Sequence, residues 1–208
     1  MKPINKLDNL LWRCLHKLNV NVSYKSKVSS KAPWVYISYI PEILYRQHND
    51  VLMNRHQNCR EMVTIVKLFK KLGYNVYVSD FHNADHLPSI TPSVVFGLEP
   101  SFEAACKKWP EALKIYYATG AYYGHQNGMI KNRTDGFNAK YHAEYPYQRL
   151  VPETDRCEMA DYIFQIGSKF TIGTYPATQR DKIRIIRQSN TLLTPPPYGG
   201  GERLFQPN

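Results

Sequence analysis

QNCREMVTIVKLFKKLGYNVYVSD, residues 57–80, holds two periodicities separated by one glycine. Over 57–72, Met62, Ile65, Val66, Phe69 and Leu72 recur at three- and four-residue spacing, which predicts a helix with one apolar face. Gly73 supplies the stop, and the β-branched and aromatic run of 74–80 predicts a strand directly after it. A helix running into a strand is the second half of a crossover unit, and its first half lies upstream: WVYISYI, 34–40, is a strand ended by Pro41. Downstream, strands are expected at 93–99 (SVVFGLE), 113–120 (LKIYYATG), 162–168 (YIFQIGS) and 182–188 (KIRIIRQ), with a short helix at FEAACKK before Pro110. Strands alternating with helices or long crossovers imply right-handed βαβ units. The expected class is α/β: a Rossmann-like three-layer domain over 34–194, with a mostly parallel sheet of about six strands.

Before that domain, Ile4, Leu7, Leu11, Cys14 and Leu18 form a helical stripe with Lys2, Lys6, Arg13 and Lys17 off it, predicting an amphipathic helix. It either docks on the protein's own core or lies on an anionic membrane face. Residues 19–33 are polar and rich in Ser and Lys, and 1–33 is therefore expected to be helix plus linker; PPPYGGGERLFQPN, 195–208, is expected to be a linker or ragged tail. A chain of 208 residues has room for one globular domain but not for two catalytic lobes. It contains no apolar run of ~20 residues, and its start lacks the continuous apolar centre of a secretory signal. Cys14, Cys59, Cys106 and Cys157 form no C-x-x-C pair, which suits a reducing cytoplasm. A net charge of +10 draws the surface toward polyanions without choosing among them.

In open α/β sheets ligands bind outside the carboxyl ends of the strands, so chemistry is sought in the loops there. Those loops hold Asp80 and His82, Glu99 and Ser101, Thr119 and Gly120 followed by His125, Gln126 and Asn127, then Gly167, Ser168 and Thr171. Amides, hydroxyls and carboxylates offer directional bonds that suit sugar hydroxyls. His56, Gln57 and Asn58 begin the 57–72 helix, where Asn58 either caps the helix or contacts a ligand. Arg133 could steer a phosphate-bearing group.

Three segments, HQNCREMVTIVKLFKKLGYNVYVSDF (56–81), KIYYATGAYYGHQN (114–127) and IGSKFTIGTY (166–175), together resemble the amino-terminal lobe of retaining GT-B glycosyltransferases. The likeness runs from about residue 34 to 190, carried by strand order, spacing and the T-G-then-H-Q-N loop. In that group the amino-terminal lobe binds the acceptor and a carboxyl-terminal lobe binds the nucleotide sugar. The resemblance therefore implies transfer of a hexose from a nucleotide-sugar donor to a glycan or lipid-linked acceptor, with retained anomeric configuration, once a second lobe is supplied. It implies no further cofactor. His125 matches the histidine that reaches the donor sugar and stabilises charge at the anomeric centre; Asn58, Asp80, Thr119, Gly120, Gln126, Asn127, Arg133 and Thr171 are the expected substrate contacts. The group's donor lobe carries two glutamates separated by seven residues, a spacing that Glu103 and Glu111 share, but the helix breaker Pro110 falls between them and they do not qualify.

Other readings weigh less. A non-catalytic binding subunit or truncated product would carry the same fold. The loop D-F-H-N-A-D-H, Asp80–His86, is similar to a metal-hydrolase signature but departs from its spacing. Lys67, Lys70, Lys71 and the 180–187 basic cluster accompany no nucleic-acid motif, so no nucleic-acid partner is expected.

Overall fold

The computed structural model describes residues 10–12, 14, 15, 21–46, 53 and 56–187. Its strands are β1 (Ser23–Ser26), β2 (Trp34–Tyr39), β3 (Asn75–Asp80), β4 (Pro92–Gly97), β5 (Leu113–Ala118), β6 (Tyr162–Ile166) and β7 (Ile183–Ile186). Its helices are α1 (Glu42–Tyr45), α2 (Gln57–Lys71), α3 (Glu99–Lys108), α4 (Tyr123–Tyr141), α5 (Arg156–Met159) and α6 (Lys169–Ile172). The sheet order is β1-β3-β2-β4-β5-β6-β7, with every pair parallel except β1 with β3. The class is α/β with a mostly parallel sheet, a layout consistent with the Rossmann-like expectation.

Helix α2 buries Cys59, Met62, Val63, Val66 and Phe69, while Ile65 is half-buried and Leu72 is exposed, so the docked stripe is rotated slightly from the sequence reading. Its end is a Schellman turn: Gly73, at φ 88°, donates to Lys70, and Tyr74 donates to Phe69. The rings of Phe69 and Tyr74 meet edge-on at 5.8 Å, the apolar contact that accompanies this cap. That face packs on Val35, Ile37, Val76 and Val78, whereas Phe102, Ala105 and Cys106 of α3, with Trp109 at its carboxyl cap, pack on Tyr36 and Val95 from the other side. The chain thus leaves β2 over one face and β4 over the other. The reversal of strand order falls between these two strands.

Three expectations are corrected. The sheet has seven strands among the described residues where about six are expected, and the added one pairs antiparallel. The extra strand, β1, lies in the stretch read as a linker, whose polar Ser-Tyr-Lys-Ser hid it. Short, lysine-bearing strands suit a sheet edge, and Lys25 sits 5.1 Å from the Trp34 ring centroid. Asn75, 1% exposed, pins the following turn: its Oδ1 accepts from Val28 and Ser29, and its Nδ2 donates to Ser29 and Ala32. At the amino terminus, residues 10–12, 14 and 15 are helical, but Trp12 is the buried one, with Leu11 and Cys14 exposed. Trp12 meets the Tyr45 ring at 6.2 Å and the Arg46 guanidinium at 5.8 Å, aromatic and cation contacts that lie off the aliphatic stripe. Ile4, Leu7, Leu18 and the 195–208 tail lie outside the described residues.

The third correction concerns His125, Gln126 and Asn127, expected in a loop. They open α4, a helix with no buried side chain and no apolar stripe for periodicity to reveal. A strap runs back along it. Asn138 and the Tyr145 backbone exchange two hydrogen bonds (3.0 and 2.9 Å), as do Asn127 and Val151 (2.8 Å each), with Tyr147 donating to Asp135 between them. Asn127 and Asn138 stand three turns apart on one helical face, which suits an extended partner.

Candidate functional site at the carboxyl edge of the sheet

At the carboxyl ends of β2, β4, β5 and β6 lies an open depression of about 700 Å³, lined by residues that include Tyr39, Gln57, Asn58, Glu61, Thr119, Ser168 and Thr171. It sits at the reversal of strand order, where doubly wound sheets bind their ligands. The close approach of β2 and β4 fixes its floor. Leu98 N donates to Ser38 O at 3.2 Å, and Ser38 Oγ donates to Leu98 O at 2.7 Å. Only glycine fits between them: at Gly97, φ is 144° and an added Cβ would overlap the Ser38 carbonyl oxygen and lie 2.7 Å from its Cβ.

The depression is organised around Glu61. Its Oε1 accepts from Gln57 Nε2, one helical turn earlier, and its Oε2 accepts from the Tyr117 hydroxyl at 2.9 Å. Tyr39 and Tyr117 are both 4% exposed, with rings perpendicular at 5.8 Å. Burial, reinforced by the Glu61 carboxylate, pushes both phenols well above their ordinary value, so each keeps its proton. The opposite wall is the loop after β6, where Ser168 caps α6. Ser168 Oγ accepts from Phe170 N (3.3 Å) and Thr171 Oγ1 accepts from Ser168 N (3.2 Å), which leaves each hydroxyl its own proton to donate. Asn58 is the second residue of α2, behind an N-cap at His56, so it does not cap the helix. Among the described lining residues Glu61 is the charged one; Tyr39, Gln57, Asn58, Thr119, Ser168 and Thr171 carry neutral polar groups, and Ile40, Phe81, Leu98 and Ile166 supply apolar surface.

The sequence-predicted residues therefore divide. Asn58, Thr119 and Thr171 come together in this depression. Gly120 and Gln126 line a smaller adjoining cavity of about 200 Å³ that shares Thr119, and Gln126 donates to the Ala121 carbonyl. Arg156 crosses that cavity, its Nε bonded to Glu103 at 2.6 Å and its Nη1 3.3 Å from Glu99. Glu103, set aside as a catalytic glutamate, thus holds Arg156. Glu99 sits at φ 61° ahead of Pro100, a strained conformation for a residue with a side chain. Asn127 is bound to the strap, and Arg133 lines a separate groove between α4 and the strap. His125 is exposed in the first turn of α4, outside these cavities. Asp80 accepts from His82 N at 2.9 Å in its own turn and faces a different depression toward Trp12.

Comparison with known proteins finds no matching family model, curated protein or solved structure.

The metal-hydrolase loop does not assemble a ligand set. His86 Nδ1 is paired with Asn83 Oδ1 at 2.9 Å, and no three His, Cys, Asp or Glu side chains converge among the described residues. Glu61 escaped the sequence reading because α2 was read for its apolar stripe. The signal available was the Gln57–Glu61 pair, four apart in the helix turns next to the strand ends.

Proposed function

We propose that this chain is the acceptor-side lobe of a two-lobed glycosyltransferase, and that the depression around Glu61 holds hydroxyls of the acceptor saccharide. One observation carries the reading: hydroxyl and amide groups share the depression with a carboxylate and with apolar side chains at the reversal of strand order, a lining suited to the hydroxyls and apolar face of a sugar and without a cation for a phosphate. In the full reaction a hexose passes from a nucleotide sugar, held by a second lobe, to a glycan or lipid-linked acceptor. His125, exposed beyond the end of β5, is assigned to the donor sugar and to charge developing at the anomeric centre. The four free cysteines suit a cytoplasmic setting, and the net charge of +10 favours the inner face of an anionic membrane. No described helix is long and apolar enough to cross a membrane.

Saturation-transfer NMR on the 208-residue chain, with neutral glycans and sugar nucleotides as probes, tests the reading. Glycan protons are expected to receive saturation, and Asn58→Ala and Thr119→Ala are expected to weaken it. Absence of saturation on every saccharide would end the proposal. Saturation confined to the nucleotide would reverse the assignment of lobes.

A further inference from the structure

Tyr117 and Gln57 do more than satisfy Glu61; they fix where its unused acceptor capacity points. An ionised carboxylate has about four lone-pair sites; Gln57 and Tyr117 occupy one on each oxygen, and the Tyr39 hydroxyl approaches as a third donor, which leaves about one site unused. The Tyr117 ring is packed against Tyr39 at 5.8 Å and Phe96 at 5.4 Å. The nearby cations are engaged elsewhere: Arg60 Nη1 donates to the Met53 carbonyl at 3.0 Å, and Arg46 pairs with Glu42. Glu61 therefore presents to the depression an oriented negative group that accepts hydrogen bonds and donates none.

We infer that Glu61 determines specificity here, admitting an acceptor sugar that offers a hydroxyl or amino group at the contacting position and rejecting one that offers a carboxylate. This rests on the saccharide reading above and deepens it to a substrate class: neutral or amino sugars, not uronic acids. A hydroxyl donates a charge-assisted bond to Glu61 and an ammonium group adds attraction, whereas a second carboxylate is repelled and leaves Glu61 without a donor.

The test measures affinities of methyl glycosides of gluco, galacto and manno configuration, each as the neutral sugar, the free amino sugar and the uronate, for the full chain by NMR titration. The neutral and amino forms of the best-binding configuration are expected to bind on the order of tenfold or more tighter than its uronate. Glu61→Gln, nearly isosteric, is expected to abolish that preference by admitting the uronate, and Glu61→Ala is expected to do the same. A Glu61→Gln protein that binds neutral glycosides with an unchanged ratio to the uronates would overturn the inference while leaving the saccharide reading intact. Failure of every glycoside to bind the unaltered chain would overturn both.

Discussion

Tyr117 of β5 donates its hydroxyl to Glu61 of α2 over 2.9 Å, tying a strand to a helix that reaches the same edge from the β2 side. Removing that hydroxyl leaves the ring and its packing in place. Tyr117→Phe is therefore expected to lower stability by about 1–2 kcal/mol, below the roughly 1.5–3 kcal/mol of a bond to a fully buried charged acceptor because Glu61 is half-exposed. That corresponds to roughly 2–4 °C of melting temperature for each kcal/mol at this chain length. Urea denaturation checks it, and an unchanged midpoint would mean the bond contributes nothing net.

Two glycines should respond in opposite directions. Gly97→Ala places a methyl group against the Ser38 backbone at a φ that side chains avoid, and is expected to cost at least about 3 kcal/mol. Gly136→Ala, in the interior of α4 with open space around it, is expected to gain about 0.5–1 kcal/mol. Paired melting curves decide both.

Alkaline pH should unfold the protein ahead of its buried acids. Burial pushes Cys106 and Cys157 up to about 12 from the ordinary 9.0, and Tyr36 and Tyr116 up to about 12 from 10.0. A raised folded pKa means the unfolded chain loses its protons first. The contribution is thus fully present below about pH 9 and is lost progressively toward pH 12. Chemical denaturation between pH 8 and 11 should show stability falling over that window. Iodoacetamide at pH 8 should label exposed Cys14 quickly and buried Cys59, Cys106 and Cys157 only on unfolding; rapid labelling of all four would contradict the described burial.

The strap beside α4 should come loose locally. Asn127→Ala removes both bonds to Val151, and Asn138→Ala removes both to Tyr145. Neither asparagine belongs to the two buried clusters of the sheet, so proteolysis within 144–151 is expected to accelerate while the global melting temperature holds within about 2 °C. A cooperative loss of the whole fold in either variant would show that the strap carries more of the stability than its hydrogen bonds suggest.

What was legible in the sequence follows the same physics. Trp34–Tyr39 announces itself because helices cover both of its faces, and Asn75–Asp80 because Val76 and Val78 alternate with polar residues directly after a helix stop. Ser23–Ser26 does not, because an edge strand is paired on one side and tolerates Ser and Lys. Helix α4 carries Gly124, Gly128 and Gly136 and has no buried face, so neither propensity nor periodicity marks it; its Asn127 and Asn138 bonds to the strap are tertiary. Within the depression, Thr119 and Thr171 are legible as residues of strand-end loops and Asn58 as one that opens a helix. Glu61 was not, since its place depends on a hydroxyl from β5 that adjacency in the chain does not disclose.

The Ser38–Leu98 bonds and the bare Cα of Gly97 lock β2 to β4 directly beneath the depression. Those two strands can neither part nor slide without breaking backbone contacts that leave no slack. Any closure over a ligand must then be made by the loops that rise from the sheet. The floor acts as a fixed anvil, and induced fit at this site belongs to the rim around Ser168 and Thr171.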